Sequence, residues 1–163
     1  MTAAAGPSDG RWSVALVTGA GRGIGRATAL RLARAGHDLA LCALEADELD
    51  AVAAEVRGLG RRAFASAFDV SDADAVVRFV AEARDALGPI TALVANAGTI
   101  LLPDDAAAAT AERWDRTMAV NAWAAYLLCA AALPDMRATG RGRIVTVAST
   151  AGLRGLPLRL AYV

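Results

Sequence analysis

Five short apolar runs, separated by four helix-patterned stretches, restrict this chain to a narrow class of folds. Residues 13–18 (SVALVT) are apolar over a strand's length, and a helical stretch follows at 24–35. Gly36 and His37 turn the chain into a second strand, 38–43. The next helix, 46–59, carries Leu49, Val52, Ala53 and Val56 on one face at three- and four-residue spacing. Strand patterns recur at 62–68, 91–95 and 143–148, with helices at 73–87 and 110–136 between them. Ser71 or Asp72 can cap the helix at 73–87, and Gly88-Pro89 can end it. Pro134 is expected to end or kink the last helix. Strands apolar on both faces and separated by helices predict a parallel sheet covered on both sides.

The turn after the first strand is Thr18-Gly19-Ala20-Gly21-Arg22-Gly23-Ile24-Gly25. A dinucleotide's pyrophosphate is bulky and anionic, and it sits well where free N–H groups open a helix. Side chains in such a turn would block its approach, which is why glycines are needed. Alone, the pattern is no more than a tight turn. Following the first buried strand and opening the first helix, it predicts a Rossmann-like nucleotide-binding unit.

Composition narrows the rest. The chain of 163 residues holds one domain, with residues 1–10 expected as a flexible N-terminus and 11–163 as the binding domain. Its 56% apolar content suits a core-rich protein. Zero net charge gives no electrostatic case for a nucleic-acid partner. Residues 1–10 lack the pattern of a signal peptide. The apolar stretch 118–133 is about a turn short of the roughly 20 residues of a membrane span, so no membrane partner is expected. Cys42 and Cys129 read as buried free thiols, which favours a reducing, cytoplasmic setting. The only histidine, His37, reads as a turn residue, so no metal site is expected.

The spacing Thr-Gly-x-x-x-Gly-x-Gly resembles that of the short-chain dehydrogenase/reductase family, single-domain type, in the general pattern of its 3-oxoacyl-carrier-protein reductases. Further family positions follow in order. Asp69-Val70 matches the acidic residue and its neighbour that meet the adenine, and Asn96-Ala97-Gly98 the segment that lines the cofactor's ribose. Ala95 stands where the family usually has another Asn. Asn121 on the long helix matches the asparagine that organises a relay water, although a satisfied core amide is the alternative. Ser149 after the fifth strand and Tyr162 thirteen residues later match the catalytic pair.

The resemblance implies an α/β, doubly wound parallel sheet of about five strands in the order 3-2-1-4-5, lacking the family's last strands. It implies hydride transfer between nicotinamide C4 and an alcohol or ketone, with a small-molecule partner and a homo-oligomer at full length. Tyr162 would be the general acid/base, Ser149 would steady the substrate oxygen, and Asn121 would hold the relay water. Gly19, Gly21, Arg22, Gly23, Ile24 and Gly25 would bind the cofactor with Asp69, Val70, Asn96, Ala97 and Gly98. The family's Lys four residues after the Tyr has no counterpart, and the chain contains no Lys at all. Little turnover and marginal stability are therefore expected of these 163 residues alone, and a nucleotide-binding fragment without catalysis is the second reading. A methyltransferase would leave Asn121, Ser149 and Tyr162 unexplained.

The cofactor itself divides the residues. NAD selectivity usually shows as an acid ending the second strand, where this chain has Ala43, Leu44 and then Glu45. Arg22 can pair with a 2′-phosphate. NADP(H) is favoured, with NAD(H) left open because Leu44 replaces a second basic residue and Glu45 can reach a 2′-OH.

Overall fold

A computed structural model describes residues 13–101, 110–155 and 161–162; the expected flexible stretch 1–10 lies outside them. Strands β1 (Val14–Thr18), β2 (Asp38–Ala43), β3 (Ala63–Ala67), β4 (Ile90–Ala95) and β5 (Arg143–Thr146) form one parallel sheet, in the order β3-β2-β1-β4-β5. Helices α1 (Gly23–Arg34), α2 (Ala46–Gly58) and α3 (Ala73–Leu87) alternate with the strands. After β4 come α4 (Ala111–Met118), a π-turn (Ala119–Trp123) and α5 (Ala124–Thr139).

β1 shows why a both-sides-apolar strand belongs at the centre. Its period of two sends Val14 and Leu16 to one core and Ala15 and Val17 to the other. The first core lies under α3 and α5, where Phe79 stacks near Phe64 and Phe68 at centroid distances of 5.8 and 5.2 Å. The second lies under α1 and α2, and all four residues of the α2 stripe are buried in it. Asp72 rather than Ser71 caps α3, accepting from the Ala75 N–H at 3.0 Å.

Three expectations need correction. Pro134 does not end the long helix, which runs to Thr139 and closes on Gly140 with φ of 64°. The turns around the proline are held from outside. The Asp135 carboxylate accepts from Arg84 at 2.7 Å and from the Ile90 N–H at 3.0 Å, and Arg84 also donates to the Ala131 carbonyl. Second, the helical run Ala111–Thr139 is long and apolar enough to cross a membrane by length and composition. Here Leu128, Ala132 and Met136 are buried against the sheet. Third, Cys42 is buried but Cys129 is only half-buried, lying at the margin of the first core. β5 is the open edge: its four residues are all exposed.

Candidate functional site

Parallel strands deliver all their C-terminal ends to one edge of the sheet, and that is where a ligand crevice forms in such folds. The register places Thr18 beside Cys42 and Ala95 beside Thr146, so the loops after β1, β2, β4 and β5 leave from one level. A cleft of about 330 Å³ opens at this edge. Gly19, Gly21 and Arg22 form its floor with Ala43, Leu44 and Glu45 from the end of β2. Asp69-Val70 and Asn96-Ala97-Gly98 complete the walls. Eight of the eleven residues named from sequence as cofactor-binding line this one cleft.

The other three shape the turn. Gly25 packs so tightly that a Cβ there would lie 2.1 Å from the Gly19 carbonyl oxygen. Gly23 has φ of 55°, a left-handed conformation that a side chain strains. Ile24 is 64% exposed and stands off the cleft. No side chain caps the start of α1, and no acid occupies its first turn. Its opening N–H groups therefore have no side-chain acceptor among the described residues, as an anion at a helix N-terminus requires. The residues fit a dinucleotide phosphate.

A small polar frame fixes the floor against the wall. The Thr18 hydroxyl accepts from the N–H groups of Asn96 at 3.0 Å and Ala97 at 2.9 Å. The Asn96 amide donates back to the carbonyls of Thr18 and Gly19. Sequence reasoning placed Thr18 in the turn motif but gave it no role of its own, although a hydroxyl at the end of a buried strand was a readable signal.

Asp69 is less free than its expected meeting with adenine suggests. Its Oδ1 accepts from the N–H and hydroxyl of Ser71, and its Oδ2 from Arg116 on α4 at 2.5 Å. Burial pushes its pKa up, but the bonds from Arg116 and Ser71 outweigh this and hold the carboxyl below the usual carboxylate range. Arg116, itself part of the cleft wall, was invisible in the sequence because 47 positions separate the partners. In the same cleft lining the Arg22 Nε lies 3.8 Å from the Glu48 Oε2, an acid of α2 that sequence reasoning also passed over.

Of the proposed catalytic residues, Asn121 sits beside this frame. Its Oδ1 accepts from the Thr99 N–H and its Nδ2 donates to the Thr99 carbonyl, each at 2.8 Å. Both amide atoms are thus engaged, as the core-amide alternative requires, in a π-turn of the kind often found at functional sites. Ser149 follows β5 at the same sheet edge, exposed, with its Oγ accepting from the Ala151 N–H at 3.1 Å. Tyr162 is half-buried in a turn of its own, and no hydrogen bond joins it to Ser149 among the described residues. Neither hydroxyl lines the cleft. Among the described residues no group of His, Cys, Asp and Glu could hold a metal, and His37 contacts the Ser13 hydroxyl at the sheet's other end.

The chain is similar to known proteins over most of its length. The family model for short chain dehydrogenase matches residues 13–163. A short-chain dehydrogenase/reductase of Hericium erinaceus is 39% identical over 154 residues, covering 91% of this chain and 61% of its own length. Human 17-beta-hydroxysteroid dehydrogenase 13 is 35% identical over 149 residues, 91% of this chain and 49% of the relative. Among solved structures, a metagenomic short-chain oxidoreductase in complex with NADP superposes with a TM-score of 0.86 at 37% identity, covering 92% of this chain and 68% of its own. An NAD+-bound xylitol dehydrogenase does so with the same score at 35% identity, over 92% and 58%. The chain thus spans about half to two thirds of the relatives it resembles. By its matched sequence and its sheet, it belongs to the short-chain dehydrogenase/reductase family.

Proposed function

We propose that this chain binds a nicotinamide dinucleotide in the β1–α1 cleft and serves hydride transfer between it and an alcohol or ketone. The observation that carries the reading is the convergence of the glycine turn, Asp69-Val70 and Asn96-Ala97-Gly98 on one cleft above an uncapped helix start. The structural neighbours holding NADP and NAD+ support the same cofactor class. NADP(H) is the preferred form on the strength of Arg22, with NAD(H) accepted. The names of relatives range from a steroid to a xylitol dehydrogenase, which supports the alcohol/carbonyl class and no single substrate.

When bound, the nicotinamide supplies or accepts the hydride. The chain's own residues then have distinct tasks. The start of α1 holds the diphosphate, and Thr18 with Asn96 keeps the turn at its distance from β4. Ser149 hydrogen-bonds the substrate oxygen, and Tyr162 moves a proton at that oxygen. Asn121 fixes Thr99 beside the π-turn and holds the relay water. A cytoplasmic location suits the two free thiols.

A second reading, nucleotide binding without turnover, is favoured by one observation: neither Ser149 nor Tyr162 lines the cleft that gathers the cofactor residues. Titrating the chain with NADPH and following its fluorescence tests the shared core of both readings. Saturation at one site, lost in Gly21→Leu, is the expected result; an unchanged signal in that variant contradicts it. Oxidation of NADPH by a generic ketone then separates enzyme from fragment.

A further inference from the structure

We propose that Glu48 sets the preference between the two dinucleotides by sharing Arg22 with the 2′-phosphate, an inference that rests on the nucleotide-binding reading above. Ala43 and Leu44 at the end of β2 have no side-chain polar group, so selection at the adenosine ribose falls to neighbours. Glu48 lies in the first turn of α2 and folds over the glycine turn. A Cβ on Gly21 would lie 3.1 Å from the Glu48 Cβ and 3.3 Å from its Oε2. The same carboxylate oxygen faces the Arg22 guanidinium.

The pair is made to open. Its separation of 3.8 Å is long for an ion pair, and the side chains are 85% and 45% exposed. Exposed pairs of this kind contribute little and part readily. Arg116, the other arginine in the cleft wall, is already bound to Asp69 and Ser71. A 2′-phosphate must therefore draw on Arg22, and it arrives with about −1.5 to −2 charges, like other phosphomonoesters at neutral pH. It must take the guanidinium from Glu48 and then sit near the carboxylates of Glu48 and Glu45. A bare ribose meets none of this opposition, because a carboxylate accepts a hydrogen bond from a 2′-OH. Arg22 favours one nucleotide, and the acid beside it restrains that preference.

The test measures dissociation constants of NADP+ and NAD+ by calorimetry for the chain, Glu48→Gln, Arg22→Ala and the double variant. Glu48→Gln is expected to shift the affinity ratio toward NADP+ by about tenfold, the factor given by about 1.4 kcal/mol. Arg22→Ala is expected to shift it the other way and to abolish the gain in the double variant, since the two side chains act on one another. A ratio unmoved by Glu48→Gln, or a gain that survives in the Arg22→Ala background, overturns the proposal while nucleotide binding stands. Failure of the unsubstituted chain to bind either nucleotide overturns the binding reading, and this inference with it.

Discussion

The closest approach in the glycine turn is the place where one added methyl group decides most. A Cβ on Gly25 meets the Gly19 carbonyl and the Asn96 amide at 2.1 and 2.7 Å, both held by the floor-to-wall frame. Gly25→Ala is expected to destabilise by about 2 kcal/mol, in the range of overpacking a tight core. That corresponds to a fall of roughly 4–8 °C in Tm for a chain of this size. A melting curve within about a degree of the unsubstituted chain contradicts the packing described. The thiols differ in the same residue-level way. Burial pushes Cys42 up to about 12, and the same cause raises half-buried Cys129. Alkylation of the native chain at pH 8 followed by peptide mapping is expected to label Cys129 well before Cys42. The glycines were legible because their spacing is local. Thr18, Glu48 and Arg116 were not singled out, and for the last two the chemistry depends on elements that only the fold brings together.

Elements carried most of what the sequence could reveal. Strand and helix bounds follow from apolar period, and α2 buries the four residues its spacing named. The long helical run after β4 was harder. Its π-turn leaves no trace in a hydropathy pattern, and Pro134 argued for a stop that Asp135 and Arg84 override. Asp135→Asn removes the carboxylate from Arg84 and weakens the hold on Ile90. It is expected to cost about 2 kcal/mol, the scale of hydrogen bonds to charged groups, read by urea denaturation. Unchanged stability in this variant means that the helix needs no such anchor. Asn121→Leu is expected to free the Thr99 segment, with greater proteolysis near residue 99 as its measure.

At the scale of the whole molecule, acid should act on both ends of the sheet. Burial lowers the pKa of His37, with Arg61 adding to it against the Ser13 contact and Asp38. Asp38 is raised by burial, but bonds from Arg62 and Arg61 outweigh this and leave it low, as Arg116 does for Asp69. All three groups bind protons less readily folded than unfolded. Stability is therefore expected to decline from about pH 6.5 as the unfolded histidine charges, and again below about 3.9 as unfolded carboxylates do. A melting temperature that rises on acidification through either range contradicts these contacts. The parallel sheet was readable because alternating elements permit few topologies, while its strand order came with the family resemblance of the glycine turn. The meeting of Ser149 and Tyr162 was implied by the family resemblance, and residues 156–160 between them lie outside those described.

The central claim is that residues 18–25 seat a dinucleotide phosphate. Calorimetric titration of the chain with NADP+, alongside Gly21→Leu, tests it most directly. The account predicts saturable binding at a single site that the substitution removes while the fold's circular dichroism persists. Absence of heat from a folded chain, or undiminished binding in the variant, contradicts it.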